Sequence, residues 1–544
     1  MPTSVMRRTL SSGLLLGGLA LTGCGVGADE PPIDVLLVSL DSVRADALTF
    51  LDPERAPRLA ALARHGTVFT QAIAGSSWTL PSHMQMFTGQ PPVMHGVQID
   101  DVRLDPLART LPEVLGQAGW ATHGAWTAWY LAGDYGFDRG FDTYRNGMSF
   151  GSELDAAIDE AAAADDWRRA NAAFVQRDVQ SHGDVNSPRV VELLTEDLAG
   201  LAPEQPALLF AHFMDPHFDY IPPAPFDTLF DPDYEGDLDG RDFWRNRRIW
   251  EERPQPRQVC SDRDLAHIEA LYHGEIAWTD QVIGGLIDAL AAAGRLERTL
   301  IVVTSDHGQE FFEHGSPGHR RTLHDEVLRV PLMVVPPGAL TAGEDGAAGA
   351  TGSVGRVIDA QVSLSDIAPT ILDYTGVEVP PSVTGRSLRP FVEGGVLPDQ
   401  PVLSSLFLVS RAPDRPREAM LLESLRSPDE KLLRRIHIRP DGRPEVDAVY
   451  WYDLRSDPGE LFGITDRNHP RLRAAWDLLE AEQAELRRQW AGLPRSPREH
   501  RRTRIAEVFA PDLGALGYLG QSTAGGFKPP EEWGLGPLPP LSLD

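Results

Sequence analysis

Four short, almost unbroken apolar stretches punctuate an otherwise mixed chain: Ile33–Leu40 (IDVLLVSL), Ala207–Phe213 (ALLFAHF), Leu300–Thr304 (LIVVT) and Val330–Val334 (VPLMV). Runs this short, without the alternation of a half-solvated strand, suit strands buried on both faces of a sheet. Between them lie segments with helical spacing: Pro57–His65, Leu111–Gly119, Leu265–Ala293 (carrying Glu275 and Asp280) and Leu364–Tyr374. The polar, Ala-rich region 152–201 reads as helical with an insertion, and Asn186–Leu198 is its best amphipathic stretch. Trp120–Ala125 reads as a further short strand. Strands alternating with helices predict an α/β fold with a large, mostly parallel central sheet flanked by helices.

The pattern changes near residue 395. Ala419–Leu422, Lys431–Leu433 with Ile436, and Ala448–Tyr452 are short alternating runs that predict a small antiparallel sheet, closed by an amphipathic helix over Leu472–Trp490. The expected organisation is a catalytic domain over 33–394, a C-terminal subdomain over 395–495 and a partly disordered, Arg-rich then Pro/Gly-rich tail over 496–544. Residues 336–353 are Gly/Ala-rich and predict a surface loop.

Composition narrows the partners. A formal charge of -29 argues against nucleic acid or an anionic membrane surface, since phosphates need Lys and Arg to meet them. A small anionic ester in a cleft is not excluded, because a metal and a few local cations set the field there. Met1–Cys24 has a basic Arg7-Arg8 start and an apolar Leu14–Leu21 run too short for a settled transmembrane helix. It ends in Leu21-Thr22-Gly23-Cys24, which resembles the lipobox of bacterial lipoproteins. The expectation is a signal peptide over 1–23, a lipid on Cys24, a tether over 24–32, and export to the cell envelope. A plain secretion signal with a chance cysteine is the alternative. Only Cys260 then remains, so no disulfide is expected.

The candidate chemistry sits where strands end. Ser76-Ser77-Trp78-Thr79-Leu80-Pro81-Ser82-His83 places a hydroxyl just ahead of a helix start marked by Pro81, where free N–H groups and the helix dipole favour an anion. Thr79 is either a nucleophile for phosphoryl or sulfuryl transfer or an ordinary cap. Asp41 follows the first strand, as ligand or as turn residue. Asp215-Pro216-His217 follows the second, and His217 either binds an oxyanion and donates a proton or is a structural loop residue. Ser305-Asp306-His307-Gly308 follows the third. Asp41, Asp306, His307 and Thr79 offer one divalent cation hard oxygen and nitrogen ligands. Such an ion would acidify the hydroxyl and neutralise substrate oxygens. Beyond them, His314-Gly315, His319-Arg320-Arg321 and His324-Asp325-Glu326 gather polar groups before the fourth strand.

In this order the motifs resemble the sulfatases, a family of the alkaline phosphatase superfamily. The set comprises Asp41-x-x-Arg44-x-Asp46, Thr79-x-Pro81-Ser82-His83 with Thr88-Gly89, Asp215-Pro216-His217, Gly274-Glu275-Ile276, Ser305-Asp306-His307-Gly308 and Leu328-Arg329-Val330-Pro331. Gly385-Arg386-Ser387-Leu388 and Tyr452-Asp453-Leu454-x-x-Asp457-Pro458-x-Glu460 look like the family's C-terminal part. The resemblance covers roughly 33–465. It implies a hydrolase of sulfate or phosphate esters using one divalent metal (Ca, Mn, Zn or Mg). It also implies that His217 and His319 bind the oxyanion or protonate the leaving group, and that Arg321 stabilises charge. His83, at the position of the family's motif arginine, would hold the nucleophile or a metal-bound oxygen.

Three departures matter. Sulfatases carry Cys or Ser where this chain has Thr79, and convert it to formylglycine, an aldehyde that a secondary alcohol cannot yield. Ser42 replaces a second metal-ligating Asp, and His307 replaces the usual Asn. Threonine nucleophiles are familiar in phosphodiesterases and phosphoglycerol transferases of the superfamily, which are the alternative activity. A non-catalytic, metal-binding surface lipoprotein is the other alternative.

Overall fold

The computed structural model describes residues 32–99, 102–148, 186–241, 243, 250–252, 256–258, 260–340, 355–409, 419–439, 443–497 and 541. The expected signal peptide and lipidated Cys24, nearly all of the tether and tail, the first part of region 152–201 and most of loop 336–353 lie outside those residues.

In chain order the strands are β1 (Asp34–Leu40), β2 (Thr67–Ile73), β3 (Ala121–Trp126), β4 (Thr143–Asn146) and β5 (Ala207–Phe213). A short hairpin, β6 and β7 (Trp250–Glu252 and Pro256–Gln258), precedes β8 (Thr299–Ser305). A small ribbon, β9 and β10 (Glu310–Phe311 and Pro317–Gly318), precedes β11 (Arg329–Val335) and β12 (Arg356–Ser363). Eight of these form one sheet in the order β12-β2-β11-β8-β1-β5-β3-β4. Every neighbouring pair is parallel except those made by β11, which runs antiparallel to both β8 and β2. The sheet is thus mostly parallel, as the apolar runs predict.

The main helices are α1 (Pro57–Ala63), α2 (Thr79–Thr88), α3 (Leu111–Gln117), α4 (Ser187–Ala199), α5 (Asp262–Ala292), α6 (Ile367–Thr375) and α7 (Pro470–Gly492). The first six cover both faces of the sheet, which is why β1, β5 and β8 are buried at every residue. Val35 and Leu37 of β1 point into one core with Leu80, Met84 and Phe87 of α2 and Ile371 of α6. Leu36, Val38 and Leu40 point into the other, with Leu59 of α1, Leu194 of α4 and Ile276 of α5. Each such side chain contributes about 1.5–3 kcal/mol when fully buried. The period-two division of β1 between the two cores therefore fixes its register.

A separate four-stranded antiparallel sheet follows: β13 (Val402–Val409), β14 (Ala419–Arg426), β15 (Glu430–Ile438) and β16 (Pro444–Asp453). Its first strand was not marked by the sequence pattern. Leu403, Leu425, Leu432 and Trp451 pack against Leu472, Trp476 and Leu479 of α7. Val402 and Leu406 face the main core instead. Strand β13 also grips the loop before α2. Ser404 Oγ donates to Ala74 O at 2.7 Å, Ser405 N to Gly75 O at 2.8 Å, and Ser76 Oγ to Ser405 O at 2.7 Å. Among the described residues no helix is long and apolar enough to cross a membrane.

Candidate active site

Sheet direction gathers the polar loops at one edge. Leu40 pairs with Phe213 on one side and with Ser305 on the other, so Asp41, Met214 and Asp306 leave the sheet side by side. Strand β2 runs the same way and delivers Ala74–Trp78 to that edge. Strand β11 runs against them, so the segment leading into it, 319–328, starts there too. The one antiparallel strand is what carries His319 over the ends of the parallel ones.

Thr79 is the first residue of α2, one position further in than the sequence suggests. Trp78 is the cap, with extended backbone (φ -165°, ψ 160°), and Gly89 closes the helix at φ 63° with its N–H on Gln85 O. Pro81 in the first turn sacrifices an N–H that would have had no helical partner. The helix is buried along its whole length and aims its N-terminus at Asp41 and Asp306.

Around that N-terminus the buried ligating atoms of Asp41, Asp306 and His307 all lie within 4.8 Å of one another. Thr79 Oγ1 is 3.4 Å from Asp41 Oδ2 and 3.4 Å from His307 Nε2. Ser42 braces both carboxylates from φ 61°: its Oγ donates to Asp41 Oδ1 at 2.8 Å and its N–H to Asp306 Oδ1 at 3.2 Å.

The histidine tautomers follow from their partners. His307 Nδ1 lies 2.9 Å from Gly308 O, and His217 Nδ1 bonds Phe218 O. Carbonyl oxygens only accept, so Nδ1 carries the hydrogen in both and Nε2 presents a lone pair. His319 Nδ1 lies 2.9 Å from Gln309 Oε1, which sets the same tautomer. The His319 ring is 4.4 Å from that of His307 and 5.0 Å from that of His217, centroid to centroid. His83 is tied differently from expectation: Nδ1 donates to the carbonyl of Thr79 at 2.9 Å, not to its hydroxyl, and Nε2 accepts from Ser39 Oγ at 2.9 Å. It braces the first turn of α2 and stands 3.4 Å from Asp306 Oδ2.

The electrostatics are those of a site short of a positive charge. Burial works to raise the Asp41 carboxyl, but His212, His217 and His307 outweigh it and hold Asp41 well below the usual carboxylate range. Burial, and then the Asp41 charge, push Asp306 well above that range. Burial lowers His307, and it lowers His83 and His319 well below an ordinary imidazole. Asp306 Oδ2 is fully buried yet has no hydrogen-bond partner among the described residues. An orphaned carboxylate oxygen facing a histidine lone pair and a hydroxyl fits a divalent cation.

Other residues singled out from sequence take supporting places. Asp215 accepts from Asn186 N at 2.9 Å, Ser187 N at 3.3 Å and Trp278 Nε1 at 2.9 Å, fixing the turn that carries His217. Glu275 accepts from Ile221 N at 2.7 Å just beyond that turn, and Asp280 caps α1 through Arg58 N and Leu59 N. Arg321 is half-buried on the His319 segment. It is Arg320 that lies on the Trp78 ring, 3.9 Å from its centroid, with its N–H on Ser77 O. His314 and His324 pair with one another: their rings stack 3.5 Å apart, His314 Nε2 is 3.3 Å from Glu326 Oε2, and His324 Nδ1 is 3.3 Å from Glu460 Oε1.

Sequence reasoning missed His212, whose Nε2 stands 3.3 Å from Asp41 Oδ2, and Gln309. The signal for His212 was a lone imidazole inside an otherwise apolar strand.

The model of the family described as Sulfatase matches residues 33–377. Among curated proteins, the arylsulfatase of Clostridium perfringens is 31% identical over 197 residues, which is 35% of this chain and 38% of that protein. The N-acetylglucosamine-6-O-sulfatase of Bacteroides thetaiotaomicron is 32% identical over 194 residues, 36% of this chain and 31% of that protein. The matched stretches therefore span about a third of the length of these relatives. Solved structures align far more completely. The phosphonate monoester hydrolase of Agrobacterium radiobacter superposes with a TM-score of 0.59 at 20% identity, covering 84% of this chain and 96% of that one. A protein in complex with its substrate D-glucosamine-2-N,6-O-disulfate superposes with a TM-score of 0.60 at 19% identity, covering 85% and 98%.

Proposed function

This chain belongs to the sulfatase family, and on that premise we propose that it is a metal-dependent ester hydrolase in which Thr79 attacks the phosphorus of a phosphate ester. The observation that carries this reading is the side chain at position 79. Its secondary alcohol has no route to the formylglycine aldehyde, yet Oγ1 sits at a helix N-terminus, 3.4 Å from both Asp41 Oδ2 and His307 Nε2.

Asp41, Asp306, His307 and Thr79 Oγ1 are the residues that would hold the metal. Bound there, a divalent ion would lower the pKa of the Thr79 hydroxyl and neutralise substrate oxygens. The His307 nitrogen makes Mn or Zn as suitable as Ca or Mg. Thr79 Oγ gives up its proton to solvent water and forms a bond to phosphorus as the bond to the ester oxygen breaks on the opposite side. Free N–H groups at the start of α2 face the transferring group. His217 and His319 flank it, and a protonated Nε2 on either one donates to the departing oxygen. Burial disfavours the charged imidazole of His319 in the free protein; the negative charge of an entering ester favours it, and the proton taken up comes from solvent. Water then attacks phosphorus, the Oγ–P bond breaks, Thr79 Oγ regains a proton and phosphate leaves. Arg321 is the weaker candidate for charge stabilisation.

Sulfate-ester hydrolysis is the second reading, favoured by the names of the curated relatives. A panel of nitrophenyl phosphate, phosphodiester and sulfate with metal-loaded protein separates the two. The proposal expects faster turnover of a phosphate ester, a phosphothreonine trapped at position 79 by mass spectrometry, and loss of both on Thr79→Ala. Faster turnover of the sulfate, or unchanged turnover in Thr79→Ala, overturns it. Met1–Cys24 supports export and a lipid anchor; labelled-palmitate incorporation that is lost on Cys24→Ser tests this.

A further inference from the structure

His212 is the next-to-last residue of β5 and is fully buried. Its neighbours along the strand are Ala, Leu, Leu, Phe, Ala and Phe. An imidazole there is costly unless its nitrogens find partners. Nδ1 faces Thr127, 3.5 Å from its backbone N–H and 3.4 Å from its hydroxyl. A backbone N–H can only donate, so Nδ1 is the acceptor and Nε2 carries the hydrogen. This is the opposite tautomer to those of His217, His307 and His319. Nε2 is fully buried without a well-formed bond among the described residues, and it stands 3.3 Å from Asp41 Oδ2.

His212 is not placed to be a ligand itself. The group of ligating atoms lying within 4.8 Å of one another contains Asp41, Asp306 and His307 but not His212. What His212 reaches is the carboxylate. With Ser42 Oγ on Oδ1 at 2.8 Å and His212 Nε2 3.3 Å from Oδ2, each oxygen of Asp41 faces a donor from outside the cluster. Outer partners of this kind orient metal-ligating groups.

We propose that His212 is a positioning residue of the metal centre: its Nε2–H fixes the Oδ2 oxygen of Asp41, and with it the direction from which Asp41 meets the ion. This rests on the metal-centre reading above. The test is divalent-metal affinity, measured on chelator-stripped full-length protein by competition for Zn2+ and Mn2+ with a chromophoric chelator. The visible spectrum of the Co2+-loaded protein serves as a second readout. Gln at 212 keeps an amide N–H near the position of Nε2, Asn keeps a group beside Thr127 but falls short of Asp41, and Leu keeps neither. The expected result is affinity close to wild type for His212→Gln, and weakening of about 10–100-fold for His212→Asn and His212→Leu with an altered Co2+ spectrum. Melting midpoints of the stripped variants separate a folding defect from a binding one. Should His212→Leu not fold, the contrast between Gln and Asn decides. Equal affinity of Gln, Asn and wild type overturns the role of His212 while leaving the metal centre standing. If wild type takes up no divalent ion, the metal-centre reading falls and this inference with it.

Discussion

The Nδ1–H of His319 donates to Oε1 of Gln309 at 2.9 Å, and that bond decides which nitrogen of His319 carries the hydrogen and which keeps its lone pair. Gln309 lies two residues past His307, and His319 comes from the segment that β11 folds back over the sheet edge. Replacing Gln309 by Leu removes the one group among the described residues that fixes the tautomer, so either nitrogen can then carry the hydrogen. If His319 moves a proton, Gln309→Leu lowers kcat by up to about 100-fold, the lower range for a lost acid–base group. Metal content stays unchanged. Steady-state kinetics together with metal analysis of the variant check both halves of the prediction.

Thr79→Ser keeps a hydroxyl at the first position of α2 and loses only the methyl group. An alcohol nucleophile predicts that this variant still turns over the preferred phosphate ester and forms a phosphoserine at position 79. Thr79→Ala forms no covalent intermediate and loses at least about 10⁴-fold in rate, as expected when a nucleophile acting with its partners is removed. Intact-protein mass spectrometry after acid quench reads the intermediate directly.

Some of this molecule is plain in its sequence and some is hidden for identifiable reasons. Strands β1, β5 and β8 announce themselves because both faces are covered, leaving no polar alternation. Strand β2 (TVFTQAI) carries no such mark, because Thr70 and Gln71 interrupt its apolar run. Edge strand β12 (RVIDAQVS) is half-exposed, with Asp359 accepting from Thr70. The direction of β11 has no local signature, since an apolar run reads the same either way; only the pairing with β8 and β2 reveals it. Asp41, Thr79, Asp306 and His307 were legible because each sits at an element boundary, where polar residues are conspicuous. His212 lies inside a strand and Gln309 in a turn, and their significance comes from partners distant in sequence. His83 was legible as a polar residue on α2, but its bond to the Thr79 carbonyl was not.

Ser42 adopts φ 61°, a left-handed conformation that Asp and Asn tolerate and β-branched residues do not. Ser42→Asp therefore fits the backbone and adds a third carboxylate beside Asp41 and Asp306. More oxygen ligands favour the harder ions. The predicted outcome is a shift of preference from Zn2+ or Mn2+ towards Ca2+, measured as the ratio of dissociation constants by calorimetry. Ser42→Val should instead destabilise the fold and weaken every metal alike. Unchanged selectivity in Ser42→Asp would place this side chain outside the ion's reach.

The two sheets are joined by a buried charge network, and its pH dependence has a definite sign. Asp325 receives Arg426 Nη2 at 2.9 Å and Lys431 Nζ at 3.1 Å, while Lys431 also reaches Glu460 Oε1 at 2.9 Å. Burial acts to raise Asp325, but Lys431 and Arg426 outweigh it and hold the carboxyl below its ordinary value. A folded-state value below the unfolded one means the unfolded chain binds the proton more readily. The contribution is therefore fully present above about pH 4 and is lost as pH falls towards the folded value. Lys431→Met leaves Asp325 and Glu460 short of their shared cation, and removing one partner of a buried pair costs about 3–5 kcal/mol. Thermal unfolding from pH 7 down to pH 3 should show the wild type losing stability faster than Asp325→Asn, which starts lower and varies less. Parallel curves for the two proteins would mean that Asp325 is not the group that titrates.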